Sequence, residues 1–309
     1  MYQVFIDGSS GTTGLRIHER ISQRQDLRLL QLPESQRKDP LARRDAINQS
    51  DIVFLCLPDD AARESATLCT NPDTVIIDTS TAHRVSDGWA YGFPELHGFR
   101  EQIAGSKRIA NPGCHASGFI ALVAPLVQSG VLNPDAHLSC LSLTGYSGGG
   151  KKMIAAYDDP ENADALLAPR MYGLTQQHKH LAEMVKVCGL SAAPHFCPVV
   201  SSYYAGMEVA VPVFPEDLNI GPQALKQLYA SYYTGGVVRF ADGPDEDGFL
   251  SAGAFAGRDD MQISVQGCAD RIVLVARFDN LGKGASGAAI QNMNLVLGLE
   301  ETAGLIVEV

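Results

Sequence analysis

Positive charge is what this 309-residue chain lacks most: 24 lysines and arginines face 35 aspartates and glutamates, a formal net charge of −11. A surface of that sign repels phosphate, which argues against a nucleic-acid partner. Charge of either sign is scarce, at 19% of residues against about a quarter in an ordinary globular domain, and a surface poor in charge suits an oligomer. Long apolar runs are missing. The longest, Phe119 to Val127, falls well short of the ~18 residues of a membrane span and reads as a buried helix. The amino terminus MYQVFIDG has neither the basic nor the apolar region of a secretory signal. The seven cysteines are odd in number and lack paired zinc-ligand spacings, which excludes a disulfide framework and implies a reduced, cytoplasmic protein.

A chain of this length is long enough for two domains. In the first 110 or so residues, short β-branched runs (Gln3–Ile6, Leu27–Leu32, Asp51–Leu57, Val75–Ile77) alternate with helix-period segments (Leu15–Arg24, Ala42–Asn48, Asp60–Thr70). That alternation predicts βαβ units and a parallel sheet, with Asp59 or Asp60 capping the third helix. Asn111-Pro-Gly-Cys breaks the pattern before a helix running from about His115 to Gln128. Beyond it, Leu138–Leu143, Ser201–Val213, Val237–Phe240, Met261–Cys268 and Arg271–Asn280 read as strands. Several alternate and suit an antiparallel sheet with one solvated face, so this half is α+β. Gly284–Leu299 reads as a terminal helix.

The first strand runs into Gly8-Ser-Ser10-Gly11-Thr12-Thr13-Gly14. Three glycines at a strand-to-helix turn let a pyrophosphate approach backbone N–H groups at a helix amino end, and the hydroxyls add donors. The spacing is G-x-x-G-x-x-G rather than the dinucleotide fingerprint G-x-G-x-x-G, so a purely structural turn is the alternative. After the second strand stand Glu34, which could bind a ribose 2′-hydroxyl, and Ser35, Arg37 and Lys38, which could accept a 2′-phosphate. Three groups against one favour NADP, with a solvated charged turn as the other reading.

Cys114 follows Asn-Pro-Gly at a helix start, where the helix dipole favours a thiolate. Most of the other six cysteines sit in apolar strand or helix patterns and read as core. An acyl-carrying cysteine needs a partner that moves a proton near neutral pH, and His178-Lys179-His180 offers two. Their i, i+2 spacing would put them on different faces of a helix, so at most one would point at Cys114. Leu143-Thr-Gly-Tyr-Ser147-Gly-Gly149-Gly-Lys151-Lys152 combines exposed amides with lysine charge, an anion nest that fails the Walker spacing; a surface turn is the alternative. No metal is called for.

The dinucleotide loop, Asn-Pro-Gly-Cys, His-Lys-His and the terminal Asn280-Leu-Gly-Lys-Gly284-Ala-Ser286-Gly together resemble the semialdehyde dehydrogenase superfamily. Within it, the chain resembles the shorter form of the N-acetyl-gamma-glutamyl-phosphate reductase family over its whole length. The resemblance implies an N-terminal NADP-binding Rossmann-type domain (1–113 with 285–309) and a central α+β domain for catalysis and oligomerisation (114–284). It makes Cys114 the nucleophile, His178 or His180 the acid–base group, Gly8 to Gly14 the pyrophosphate loop, and Gly284 and Ser286 neighbours of the cofactor. Arg84, Ser147, Gly149 and Lys151 become candidates for the phosphate of an acyl phosphate substrate.

The implied reaction is NADPH-dependent reduction of N-acetyl-L-glutamyl 5-phosphate to the semialdehyde through a cysteine thioester, in arginine biosynthesis, by a homodimer or homotetramer. Residues 79–84 (Thr-Ser-Thr-Ala-His-Arg) stand where longer members carry an acidic residue and Phe before Arg, and Gly-Gly-Gly-Lys replaces Gly-Ala-Gly-Arg. Three other readings compete: aspartate-semialdehyde dehydrogenase, a noncatalytic NADP-binding sensor and a cysteine hydrolase.

Overall fold

A computed structural model describes residues 1–9 and 11–308. The chain divides into two compact units, Met1–Pro112 with Ala285–Leu305, and Gly113–Gly284 with the residues from Ile306.

The first unit runs β1 (Tyr2–Asp7), α1 (Thr12–Ser22), β2 (Leu27–Leu30), α2 (Pro40–Gln49), β3 (Ile52–Leu55), α3 (Asp59–Thr67), β4 (Val75–Asp78), β5 (Ala90–Tyr91), α4 (Phe99–Ala104) and β6 (Arg108–Ala110). All six strands pair in parallel, in the order β2-β1-β3-β4-β6-β5. Parallel sheets need cover on both faces, and alternate residues of each strand supply it. Val4, Ile6, Phe54 and Ile77 pack with Ile17 and Ile21 of α1, while Phe5, Val53, Leu55 and Ile76 pack with Ala46 and Ile47 of α2 and Ala62 of α3. The chain order reverses at β1, which has β2 on one side and β3 on the other; the carboxyl ends of strands at such a point form the usual ligand crevice of an open α/β sheet.

The first helix begins at Thr12, earlier than the periodicity suggests, so Gly14 belongs to its first turn. Asp59 does not cap α3, whose cap position is Pro58; its carboxylate instead accepts from the Thr81 amide at 3.0 Å and from the Thr81 hydroxyl. The short β5, α4 and β6 carry no long periodic pattern, and periodicity alone does not predict them.

The second unit comprises α5 (Cys114–Gln128), β7 (Ser139–Gly145), α6 (Gly150–Asp158), α7 (Ala163–Leu166), β8 (Arg170–Met171), α8 (Leu181–Cys188), β9 (His195–Ser201), β10 (Met207–Val213), α9 (Pro222–Tyr232), β11 (Val238–Phe240), β12 (Met261–Gly267) and β13 (Ile272–Phe278). The strand order is β11-β12-β13-β10-β7-β9-β8. Two of the pairs, β7 with β9 and β11 with β12, are parallel, so the sheet is mixed rather than antiparallel throughout. The expected single strand 201–213 is wrong. Residues 202–206 turn between β9 and β10, with Gly206 at φ +120° and a position where a Cβ would stand 2.5 Å from the Ala252 carbonyl oxygen. The chain then returns to the first unit as α10 (Gly287–Val296), whose Ile290 and Met293 join the α1 face of the parallel sheet.

Helix α5 is buried from His115 to Leu126 and contains Pro125. An interior proline removes the N–H that would bond the carbonyl four residues earlier, here that of Ala121. The Tyr233 hydroxyl donates to that oxygen at 2.7 Å, so the orphaned acceptor is satisfied from outside the helix. Tyr233→Phe leaves it buried and bare, and urea unfolding should show a loss of about 1–3 kcal/mol. Most of that loss should vanish in a Pro125→Ala background, where the substituted position regains a backbone N–H and supplies the missing donor; equal losses in both backgrounds would refute the pairing.

Candidate active site

In the first unit the strand-to-helix turn is shaped by missing side chains. Gly8 has φ +90°, and a Cβ there would lie 2.4 Å from the Cys56 carbonyl oxygen; at Gly14 it would lie 2.8 Å from the Gly8 oxygen. The turn after β1 is thereby pressed against the turn after β3, and Gly11 becomes the cap residue of α1. Thr12 and Thr13 occupy the first turn of α1, and the buried Thr12 Oγ1 has no hydrogen-bond partner among the described residues. An orphaned hydroxyl at a helix amino end, in a cradle that side chains would fill, fits a phosphate ligand. Ser10, expected in this loop, lies outside the described residues.

A cavity of about 530 Å³ adjoins the loop, walled by Asp7, Gly8, Ser9, His18, Gln31, Arg37 and Lys38 among others. Arg43 also lines it but is committed: its Nε and Nη2 donate to Asp7 Oδ2 at 3.1 and 2.9 Å, and the Ser65 hydroxyl donates to the same oxygen at 2.6 Å. Arg37 and Lys38 are exposed and bring cationic side chains to the rim. The polar residue that follows β2 in the wall is Gln31, with its amide 2.8 Å from His18 Nε2. Glu34 and Ser35 stand in an exposed 3₁₀ turn and are not part of the wall. A neutral group where NAD-specific folds place an acid, beside two cations, suits a 2′-phosphate.

Residues 79–84 form a tight loop after β4. The buried Asp78 carboxylate accepts from the Ser80 amide and hydroxyl at 2.9 and 2.8 Å and pairs with His83 Nδ1 at 2.6 Å. The His83 ring stacks on Trp89 at 3.9 Å. Arg84 donates to the carbonyls of Asn111 (2.9 Å) and Thr79 (3.2 Å), so in this structure its guanidinium ties the Asn111 segment to the loop.

In the second unit Cys114 is the first residue of α5, with Gly113 as the cap. The buried Glu183 on α8 accepts from the Gly113 amide at 3.1 Å through Oε2, while its Oε1 lies 3.9 Å from His180 Nε2. His178 and His180 are not helical. They precede α8 in a turn in which the His180 amide donates to His178 Nδ1 at 3.3 Å, and their rings lie 4.7 Å apart. Both rings converge on His115, at 5.8 and 5.5 Å. The expectation that only one could approach the cysteine assumes a helix that does not form there.

His115 itself is buried, with Nδ1 2.6 Å from the Ser142 hydroxyl and Nε2 2.6 Å from the Tyr172 hydroxyl. Burial, with the charges of His178 and Lys179, pulls its pKa down to about 3. Burial and the nearby Cys114 push the Tyr172 phenol up. Among the other cysteines, burial pushes Cys56 to about 12 and raises Cys140 and Cys188 further. Cys268 is the exception, exposed at the β12–β13 turn and lowered by the backbone amides of Asp270 and Arg271.

The Gly-rich stretch ends β7, makes a 3₁₀ turn over Tyr146–Gly149 and opens α6 at Gly150. Ser147 is buried and its hydroxyl accepts from Asn280 Nδ2 at 3.0 Å. A Cβ at Gly149 would overlap Met153, and Lys151 is exposed on α6. Gly284 belongs to a π-turn over Gly282–Ser286, and a Cβ there would stand 2.9 Å from that of Cys114. Ser286 is buried. No helix among the described residues is long and apolar enough to cross a membrane.

Residues 3–106 match the model of the semialdehyde dehydrogenase NAD binding domain, and residues 114–280 that of the semialdehyde dehydrogenase dimerisation domain. N-acetyl-gamma-glutamyl-phosphate reductase 2 of Pseudomonas putida is 43% identical, covering 97% of this chain and 98% of the relative. The N-acetyl-gamma-glutamyl-phosphate reductase of Rhizobium meliloti is 44% identical, covering 96% and 98%. The chain belongs to the N-acetyl-gamma-glutamyl-phosphate reductase family. Its fold is that of aspartate semialdehyde dehydrogenase II from Vibrio cholerae (TM-score 0.73, 17% identity, 96% and 99% covered) and of the Candida albicans enzyme solved with NADP (TM-score 0.68, 14% identity, 96% and 99% covered).

For this family member, sequence reasoning missed Glu183, Tyr172, His115 and the Asp78–His83 pair. Only Glu183 left a local signal, three residues after His180 and in the first turn of an apolar helix. The depressed His115 has a measurable consequence. The unfolded chain protonates this residue near 6.5 while the folded state does not until about 3, so its contribution is complete above pH 6.5 and drains away as pH falls toward 3. Unfolding free energies from urea titrations between pH 7 and 4 should therefore decline with a slope approaching 1.4 kcal/mol per pH unit from this group, and less steeply in His115→Gln. Parallel declines would show that His115 is charged in the fold.

Proposed function

We propose that the chain reduces N-acetyl-L-glutamyl 5-phosphate to N-acetyl-L-glutamate 5-semialdehyde and phosphate, with NADPH as reductant, as a step of arginine biosynthesis. The observation that carries this reading is Cys114 at the open end of a buried helix, with the preceding amide held by Glu183 and a histidine pair beside that carboxylate, in a chain 43–44% identical to named reductases.

The Cys114 sulfur attacks the acyl phosphate carbonyl, the carbon–oxygen bond to phosphate breaks, and a thioester remains. His180 is the better-placed proton acceptor for the thiol: it is buried, and its imidazolium form is offset by the Glu183 carboxylate. Lys151, and Arg84 with the Gly-rich backbone around Ser147 and Gly149, are the groups proposed to hold the phosphate. The turn Gly8–Gly14 would bind the pyrophosphate of NADPH, with Arg37 and Lys38 on its 2′-phosphate. Bound there, NADPH supplies the hydride that brings the thioester carbon to the aldehyde level. The imidazolium then offsets the charge on the thiohemiacetal oxygen until the C–S bond breaks and Cys114 leaves as thiolate.

A thiol nucleophile needs a reducing compartment, which suits the cytoplasm. Exposed Leu141, Leu167, Met171 and Leu174 in the second unit suit burial between copies, in a dimer or tetramer.

The decisive assay is NADP reduction at alkaline pH with phosphate, comparing N-acetyl-glutamate semialdehyde with aspartate semialdehyde. Phosphate-dependent turnover of the acetylated compound alone is expected; turnover of the aspartyl compound alone would overturn the substrate. Cys114→Ser should abolish turnover and leave NADPH binding within a few fold. Arg37→Ala should weaken NADPH roughly tenfold, about one charge-assisted hydrogen bond, and leave NADH unchanged; equal losses for both would remove Arg37 from cofactor choice.

A further inference from the structure

Beneath Cys114 lies a polar chain that the reaction as described does not use. Ser142 on β7 is fully buried, and its hydroxyl meets His115 Nδ1 at 2.6 Å; on the far side of the ring, Nε2 meets the Tyr172 hydroxyl at 2.6 Å. His115 is neutral and so carries one N–H, on either nitrogen. If Nδ1 held it, that N–H would donate to Ser142, and the serine hydrogen would be buried with no acceptor among the described residues. If Nε2 holds it, Ser142 donates to the bare Nδ1, and the hydrogen left over is that of Tyr172, whose phenol is only half-buried. A bare buried donor costs about 1–3 kcal/mol, whereas a spare oxygen lone pair costs little, so the second arrangement wins.

The Tyr172 oxygen then accepts from His115, and its own hydrogen is free to be given elsewhere. Cys114 is the neighbouring group able to accept it: it precedes His115 at the start of α5 and its charge is one of the causes that raise the phenol, while the His178 ring stands 5.9 Å from the phenol ring. We propose that Tyr172 is a hydrogen-bond donor to the Cys114 sulfur, with Ser142 and His115 as the positioning residues that turn its hydrogen outward. The Ser142–His115 pair thus acts through a choice of tautomer, which makes the phenol an acceptor from the imidazole and releases its own hydrogen for the thiolate. This deepens the reading of Cys114 as nucleophile and rests on it.

The test is the rate of Cys114 alkylation by iodoacetamide from pH 5 to 10, read at the Cys114 peptide by mass spectrometry, so that exposed Cys268 does not contribute. Tyr172→Phe leaves the other charged groups about the cysteine in place: His178, His180 and Glu183 from the α8 side, and Asp279 and Lys283 from the Gly284 turn. Its profile should move up by about one pH unit, with roughly tenfold slower alkylation at neutral pH, while far-ultraviolet dichroism and NADPH affinity stay those of the parent. Superimposable profiles would overturn the proposal.

A second measurement needs no variant beyond one for assignment. In a histidine-labelled sample, the ¹⁵N signals of His115, assigned with His115→Gln, should show a protonated Nε2 and a bare Nδ1, and the reverse pattern would overturn the proposal even if Tyr172→Phe failed to fold. A parent protein whose Cys114 reacts no faster than its buried cysteines would instead overturn the nucleophile reading on which this one stands.

Discussion

Burial of α5 is the constraint on which the second unit depends. A helix apolar on every side has to be covered on every side, and between His115 and Leu126 every residue of α5 is buried. It lies so close to the sheet that a Cβ at Gly118 would stand 2.5 Å from a Val209 methyl and 2.8 Å from the Phe278 ring. Polar groups caught in that packing cannot turn to water, so each must be met by protein. The Ser117 hydroxyl donates to the Gly113 carbonyl at 3.0 Å, Gly113 donates to Glu183, and His115 is held between Ser142 and Tyr172. The network around Cys114 therefore follows from hydrophobic burial. Fixing the helix fixes where the sulfur emerges.

The first unit builds its candidate site by a different physical route. Around Gly8 and Gly14 the turn keeps its shape because backbone from two strand ends occupies the space a Cβ would need. Such a surface can lay amides against a phosphate but offers little chemistry of its own. Charge has to come from beside it. The buried cation of the cavity, Arg43, is spent on Asp7, and removing either partner of a buried pair leaves an uncompensated charge at a cost of about 3–5 kcal/mol. That pairing is structural, joining α2 to the end of β1, and leaves the exposed Arg37 and Lys38 as the cations proposed to discriminate between cofactors.

How far the sequence can be read divides along the range of the interactions. β1 to β4 are legible because parallel strands buried on both faces are short continuous apolar runs, and Gly8 to Gly14 because a turn between strand and helix is a local matter. Cys114 is legible for the same reason: Pro-Gly before it ends one element and opens another. β9 is not, because Pro198 within it argues against a strand and His195-Phe-Cys-Pro does not alternate. β5 and β8 are two residues each and exist only through their neighbours. The His178–His180 turn is misread when the pair is placed on a helix, because α8 starts only at Leu181. Glu183 shows the limit most clearly. Its residue type and spacing are visible, but its bond to the Gly113 amide spans 70 positions, and nothing local announces it.

The three histidines also bear on how many protons the centre can hold. His115 is kept neutral by burial and by the charge beside it, so in the proposed mechanism a proton leaving the cysteine goes to the His178 and His180 side. Their rings are 4.7 Å apart, a separation at which two unit charges repel by about 3–4 kcal/mol at an effective dielectric constant of ~20. Charging both rings at once would carry that cost. Glu183 biases the single charge toward His180, 3.9 Å away. In the proposed mechanism, one fixed carboxylate and one histidine held neutral let the centre take the thiol's proton without accumulating charge.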